Sequence, residues 1–420
     1  MKVLWFTHII PETFLLHHGK TATGTGFWIN ELLKKVASVD DIDLAVAFRY
    51  LGRPQRITIN NVQYFSISTS KYQKYINLIQ PLANNYNSML LRGAETIIET
   101  FKPDIIHVHG TESIFGLLKA HQIANHPLVI SIQGLLSQSG RYGWAEKDFF
   151  EIIQLQSYRD IFNLFSLVRL KNAFKKKGES EKAMIGSADA VLGRSSWDRS
   201  FCRSVAPDTS YFHVDEIMRE EFYSARWEPA SCQKYRIFTS GRLTLAKGMH
   251  LFIEALAVLK DEYPTMTAYI SGSNASTCEY RYLIRLAAQK GVADRIHFTG
   301  WIPAAEIVAQ LLKANVYVNA SYIENGCNAL QEAMLIGVPC IAGFTGGIAT
   351  TLEHRKTGLM YPRGESFMLA DRIRELFTNN NLAVQLGRQA SEKAHARHNP
   401  QKIVADLLNS YNSLLNIPHG

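Results

Sequence analysis

The sequence contains no run of about twenty apolar residues, so no segment of its 420 residues reads as a membrane-spanning helix. Its opening, MKVLWFTHII, is short and lacks a small-residue cleavage site, so the expectation is a cytoplasmic protein without a secretory leader. Cysteine is scarce, odd in number and scattered: Cys202, Cys232, Cys278, Cys327 and Cys340 form neither a disulfide framework nor metal-ligand spacing and read as buried or idle thiols. Zinc-finger spacings, an aromatic RNP-type run and a basic arm are missing, which argues against a nucleic-acid partner. The net charge of +8 and pI of about 9.1 would suit nucleic acid, an anionic membrane or mere solubility, so charge alone names no partner. No D-x-D pair occurs in a metal-binding context, and no metal site is expected. No G-x-G-x-x-G follows the first strand, which disfavours a dinucleotide dehydrogenase.

What is present is a β-α alternation, repeated twice. The length exceeds that of most single cores, and a hydrophobic content of 46% can fill two. Lys2 to Ile9 reads as a buried first strand. Gly24 and Gly26 then precede a helix with Phe27, Ile29, Leu32, Leu33 and Val36 on its apolar side, which points backbone amides at a helix N-terminus; G-x-G alone is more often a tight turn than a phosphate site. Leu44 to Phe48 and Ile57 to Ile67 read as strands, and Tyr72 to Glu99 as two helical segments. In PDIIHVHG, Ile105, Ile106 and Val108 make a strand that presents His109 at its C-terminal end, where open α/β sheets bind ligands. His107 reads as structural. Leu128 to Ile132 and Ala188 to Leu192 are further strands, with Gln133-Gly134 at the end of the former. SARWEPASCQKY lacks periodicity and serves as the linker. A second series follows: strands Tyr235 to Ser240, Thr267 to Ser271, Ile296 to Thr299, Val316 to Val318 and Val338 to Ala342, with helices Met249 to Leu259 and Tyr282 to Lys290.

Two basic residues, Arg242 and Lys247, flank the loop after the first strand of this second series, a place from which cations converge on a diphosphate. Farther on, ASYIENGCNALQEAMLIGVP holds two carboxylates with seven residues between them. Glu324 precedes a glycine-containing turn, and Glu332 lies in the helix suggested by Ala329, Leu330, Ala333 and Met334. Between the two acids, Asn325, Gly326, Cys327 and Asn328 place uncommitted N–H groups at a helix start, a seat for an anion. From Phe149 to Lys177 the chain is aromatic and aliphatic and ends in Arg169, Lys171, Lys175, Lys176 and Lys177. That pattern suits peripheral contact with an anionic membrane, and equally a core helix with a solvated end.

The Glu324–Glu332 stretch is similar to the E-x7-E signature of the group 1 (family four) retaining glycosyltransferases, and the similarity runs from Lys2 to about Tyr411. The resemblance implies an α/β GT-B architecture of two Rossmann-like, doubly wound parallel-sheet domains facing a central cleft. Residues 1–228 would be the acceptor side, 229–396 the nucleotide-sugar-binding domain, and 397–420 a helix crossing back to the first. It further implies that Glu324 contacts the transferred sugar and Glu332 the nucleotide ribose, and that Arg242 and Lys247 balance the departing diphosphate. The loop of Gly24 and Gly26 would face that diphosphate, with Gly326, Cys327, Asn328 and Ala329 in the donor seat. His109 matches the second histidine of D-x-x-H-x-H and becomes the acceptor-side candidate. Thr345 to Ile348 resembles a loop that closes on the donor. The implied reaction moves a sugar from a nucleoside-diphosphate sugar to a glycan, lipid-linked or small-molecule acceptor, in surface polysaccharide or glycolipid synthesis, without a divalent metal. The sequence departs from the family at Asn325-Gly326, Ala320-Ser321 and Gln133-Gly134. The rival readings are a nucleotide-sugar epimerase on the same fold and a sugar-nucleotide-binding module without turnover.

Overall fold

The computed structural model describes residues 1–21, 26–69, 84–162, 166–272 and 277–416. The chain divides into two compact units and passes between them at 140/141, 168/169, 217/218 and 397/398. The division after Ile217 falls before the stretch read as the linker. Residues Arg141–Val168, which the sequence reading leaves in the first domain, belong to the second unit.

The first unit is built on eight strands: β1 (Lys2–Thr7), β2 (Asp43–Tyr50), β3 (Gln55–Ile59), β4 (Val62–Ser68), β5 (Ile105–His109), β6 (Leu128–Ser131), β7 (Ala190–Gly193) and β8 (Ser210–His213). They lie in the order β3-β4-β2-β1-β5-β6-β7-β8, and every pairing is parallel except β3 with β4. The central strands are buried on both faces, which is why β1 and β5 read as nearly unbroken apolar runs. The stretch expected as one strand from Ile57 to Ile67 is a hairpin. Asn60 and Asn61, with φ of 49° and 63°, turn the chain in the left-handed region that a two-residue hairpin loop requires. Of the helical segments expected at Tyr72 to Glu99, residues 70–83 lie outside the described residues, and the remainder is the helix Asn84–Phe101. The helix Pro400–Leu415 belongs to this unit; its buried Tyr411 hydroxyl accepts a hydrogen bond from Trp5 Nε1 at 3.1 Å.

The second unit carries β9 (Arg236–Ser240), β10 (Thr267–Ser271), β11 (Ile296–Gly300), β12 (Val316–Asn319), β13 (Cys340–Phe344) and β14 (Leu359–Pro362) in the order β11-β10-β9-β12-β13-β14, all parallel. β13 starts two residues later than expected because Val338 still caps the preceding helix. Gly337 adopts φ +88°, and the Val338 N–H returns to the Ala333 carbonyl at 3.1 Å.

Phe149 to Lys177 is not one amphipathic segment. It forms the helices Phe149–Leu155 and Tyr158–Phe162 and the first part of Leu167–Ser187, and it is shared between the two units. Asp148 and Glu151 close a reciprocal capping box at its start. Gln156 is buried at the break, donating to the Ile152 carbonyl and accepting from the Leu167 N–H. Among the described residues no helix is long and apolar enough to cross a membrane.

Candidate active site

In the second unit the ends of β9 and β12 bring the basic loop and the acidic loop together. Gly248 makes this approach feasible: a Cβ there would stand 1.9 Å from the Ala320 carbonyl oxygen, and its φ of +67° suits glycine. The Tyr322 N–H donates to the Ala246 carbonyl at 2.8 Å, locking the two loops. Lys247 Nζ then reaches Glu324 Oε1 at 2.5 Å, and Ser321 Oγ donates to the same oxygen at 2.7 Å. Asn319 Nδ2 lies 3.5 Å from it. Burial disfavours the ionised form of Glu324, but the Lys247 charge and these hydrogen bonds outweigh it and hold the carboxyl below its ordinary 4.5. The same pairing raises Lys247 against the effect of its own burial, while the Arg242 charge acts the other way. Glu324 is thus an anion and Lys247 a cation, with the exposed guanidinium of Arg242 close enough to be felt.

The turn after Glu324 ends in the helix Asn328–Ile336, capped by Cys327. Cys327 takes φ 32° and ψ 74°, a left-handed conformation unusual for a residue with a Cβ, and no side chain caps the helix. The first N–H groups of such a helix have no intrahelical acceptor. Gly326, Asn328 and Ala329 therefore stand where the sequence places an anion seat. Burial pushes the Cys327 thiol well above its ordinary 9.0, and the Glu324 charge adds to this, so it stays a thiol. All five cysteines are free. The Thr345–Ile348 loop docks on Glu324 as well. The Gly347 N–H donates to the Glu324 carbonyl at 2.9 Å, and a Cβ on Gly346 would meet that oxygen at 2.0 Å.

Glu332 lies on the same helix, 3% exposed, and both of its oxygens are held by one residue that the sequence reading did not single out. Arg219 Nε donates to Oε1 and Nη2 to Oε2, each at 2.7 Å, a bidentate pair across 113 positions of chain. Burial nevertheless pushes the Glu332 carboxyl above 4.5, with Arg219 pulling it down and Glu221 adding to the rise. The two acids of the motif are therefore moved in opposite directions, and on acidification Glu332 takes up its proton before Glu324.

In the first unit His109 sits at the end of β5 as expected, 1% exposed, and neither ring nitrogen has a hydrogen-bond partner among the described residues. Its ring lies against those of His107, Trp5 and Trp28, with centroids at 3.8, 4.5 and 5.8 Å. Burial, then the neighbouring His107 and His8, hold it neutral. His107 is structural by its contacts: Nδ1 meets the Tyr411 hydroxyl and Nε2 the Ser131 hydroxyl, both at 2.6 Å. Gln133 lines the same small pocket as His109. It is fixed by Arg194, whose Nη2 donates to the Gln133 carbonyl at 2.9 Å and whose Nη1 pairs with the buried Glu216. Gly26 caps the helix Phe27–Val36 with φ +73°. Gly24 lies outside the described residues.

Against known proteins, residues 225–393 match the family described as Glycosyl transferases group 1. A stretch of 163 residues is 31% identical to D-inositol 3-phosphate glycosyltransferase of Corynebacterium glutamicum, covering 37% of this chain and 38% of that protein. The alignment with this relative thus spans about two fifths of its length. Sucrose-phosphate synthase from Thermosynechococcus elongatus superposes with a TM-score of 0.74 at 17% identity over 99% of both chains. Anabaena HepE, solved in complex with UDP-glucose, does so at 0.67 and 16% identity, over 98% of this chain and 100% of its own. Residues 225–393 thus match the group 1 glycosyl transferases, and the whole chain shares the GT-B fold of these solved structures.

Proposed function

We propose that the protein is a retaining glycosyltransferase that takes a sugar from a nucleoside-diphosphate sugar, with the donor held by the second unit and the acceptor by the first. The observation that carries this is the buried Glu324, kept ionised by Lys247 at 2.5 Å just before a helix start that no side chain caps, with Glu332 eight positions on within that helix. Donor binding is supported by the fold shared with a protein solved with UDP-glucose. As the bond from the anomeric carbon to the phosphate oxygen breaks, charge builds on the diphosphate. Arg242, Lys247 and the N–H groups of the helix start are the donors aimed at that charge. The acceptor oxygen then bonds to the anomeric carbon on the same face, and its proton passes to the departing phosphate oxygen. His109, a neutral imidazole whose nitrogens have no hydrogen-bond partner among the described residues, is suited to hydrogen-bond the acceptor hydroxyl. With cations and dipoles supplying the charge balance, turnover should need no divalent metal.

Two substitutions test the assignment. Glu332→Gln should weaken free nucleoside diphosphate and intact donor alike, whereas Glu324→Gln should spare the nucleotide and lose transfer. Equal weakening of nucleotide by both, measured by calorimetry, counts against it. Product analysis without acceptor separates transfer from epimerisation: a transferase leaves the donor sugar's configuration unchanged, and an epimerase does not.

The proposed acceptor is a glycan or a lipid-linked or small molecule, and three exposed aromatics support peripheral membrane contact. Phe149, Phe150 and Tyr158 are 51%, 74% and 85% exposed. Such side chains suit the headgroup level of a bilayer. Replacing the three with serine should reduce co-sedimentation with anionic liposomes. Binding that is absent at low salt, or unchanged in the variant, removes this part of the reading.

A further inference from the structure

The chain leaves the first unit after Gly140 and returns to it at Arg169, and the segment between, Arg141–Val168, belongs to the second unit. It packs behind the two loops that carry Lys247 and Glu324. Ala145, Ile152 and Leu167 share one buried apolar cluster with Leu245 of the basic loop, Tyr322 of the acidic loop and Cys278 at the start of the helix Cys278–Gln289. Leu245 lies two residues before Lys247, and Tyr322 two before Glu324, so one cluster backs both loops.

The turn that enters this cluster is held against its own preference. Ala145 and Glu146 adopt φ of 53° and 63°, two successive left-handed residues without a glycine, a conformation that persists only where the surroundings impose it. Arg363, just after β14, imposes part of it. Its Nε donates to Glu146 Oε1 at 3.0 Å, Nη2 stands 2.8 Å from the same oxygen, and the guanidinium lies over the Tyr142 ring at 4.5 Å. Gly364 permits the approach: its φ is +87°, and a Cβ there would stand 3.2 Å from Glu146 Oε2. Trp144 Nε1 donates to the Leu167 carbonyl at 3.1 Å, which ties the start of the segment to its end, and Arg281 Nη2 donates to Asp160 Oδ2 at 2.5 Å.

Tyr322 joins this support to the site. It is 5% exposed, its ring stacks on that of His250 at 5.5 Å and 13°, and the Cβ position of Gly364 lies 3.8 Å from its Cε1. Its backbone is tied on both sides, the N–H to the Ala246 carbonyl at 2.8 Å and the carbonyl to Thr345 Oγ1 at 2.6 Å. A shift of Tyr322 is therefore passed to Ala246, beside Lys247, and along the chain to Glu324.

We propose that Arg141–Val168 is a strap that positions the donor loops, with Trp144, Glu146 and Tyr322 as positioning residues for the Lys247–Glu324 pair. The proposal rests on those loops' being the donor site. Support of this kind matters because a misplacement of about 1 Å at reacting groups costs about a hundredfold in rate. Burial alone would hold an apolar segment without a strained turn, so the strain marks a turn whose placement is imposed.

The free cysteines report on different places, and iodoacetamide labelling of the full chain, followed residue by residue by mass spectrometry, reads them together. Cys278 lies in the strap's cluster, Cys327 between Glu324 and the helix start, Cys340 in β13 and Cys202 in the first unit, and none is more than 8% exposed. Glu146→Arg sets two cations against each other at a partly exposed pair whose loss the fold tolerates. Labelling of Cys278 and Cys327 should then quicken by about tenfold, the result of local opening made about 1.4 kcal/mol easier, while Cys340 and Cys202 keep the wild-type rate. Glu146→Arg combined with Arg363→Glu should restore the slow rates. Ile152→Ser, which places a hydroxyl in the cluster, should open it without touching the ion pair. UDP, GDP and ADP, titrated into the same samples, read the donor site: whichever binds the wild type should bind both single variants more weakly. Faster labelling of Cys327 and Cys340 together means general loss of structure and overturns the positioning role, as does a Cys327 rate that neither Glu146→Arg nor Ile152→Ser alters. A wild type that binds none of the three nucleotides would instead sink the donor-site reading, with the Cys327 result still legible.

Discussion

Lys247→Ala should lower kcat by about a hundredfold, roughly 3 kcal/mol in the barrier, by comparison with the loss of a single oxyanion donor. It should also lower the melting temperature of the second unit, because Glu324 would be left as a buried carboxylate without its cation. Arg242→Ala should lower kcat to a similar extent with almost no effect on stability, since its exposed side chain supports no packing. Arg242→Lys should remain poor, because an ammonium cannot reproduce two parallel hydrogen bonds to phosphate oxygens. Measured together, kcat and melting temperature separate charge balance in the transition state from upkeep of the fold. A normal kcat per folded molecule in both alanine variants would refute the leaving-group role. The acid limb has a sign too: the Glu324 carboxyl lies below 4.5 in the folded chain, so the stability it contributes is present above that value and is lost as pH falls through the lower, folded pKa.

The second large effect is expected at a residue distant in sequence from the signature. Arg219→Ala should destabilise the second unit by about 3–5 kcal/mol, the usual result of removing one partner from a buried ion pair. The pair is bidentate at 2.7 Å on both arms, and the Glu332 side chain is 4% exposed. Glu332→Gln should cost less than Arg219→Ala, because the Arg219 side chain is 19% exposed and can be hydrated in part. The double variant should be less destabilised than the two singles added, with a coupling above about 1 kcal/mol for groups in direct contact. Urea titration followed by a probe in the second unit measures this, and additivity within error would mean that the pair contributes nothing beyond its members. Arg219→Lys should restore part of the stability while leaving Glu332 less firmly oriented, visible as weaker nucleotide binding.

Much of this was legible in the sequence because it is local. The central strands β1, β5 and β9 are buried on both faces and show as apolar runs between turn residues. Glu324, Lys247 and the helix from Asn328 could be located from short spacings and a turn, since two short loops, each just after a strand, and one helix start hold them. Edge elements were harder. β8 is a four-residue strand with no buried position, and β14 ends in Pro362, so neither presents a core pattern. The Asn60-Asn61 turn carried a recognisable hairpin signal that an apolar run on both sides obscured. Arg219 had no local signal, because what defines it is a partner 113 positions away. Lys177 was grouped with Lys175 and Lys176 by sequence, yet a helix turns successive side chains about 100° apart, and of the three only Lys177 is partly buried, lining a pocket of the first unit with Glu112.

The most direct test of the donor site is a thermal-shift titration of the full chain with nucleoside-diphosphate sugars in EDTA, on the wild type, Lys247→Ala and Glu332→Gln. A ligand that binds only the folded state adds about 2.7 kcal/mol of apparent stability at a hundred times its dissociation constant. At least one such sugar should raise the wild-type melting temperature without metal, and the rise should be greatly reduced in both variants. A folded wild type that responds to none of them, or a shift undiminished in Lys247→Ala and Glu332→Gln, would contradict a donor site built on these residues.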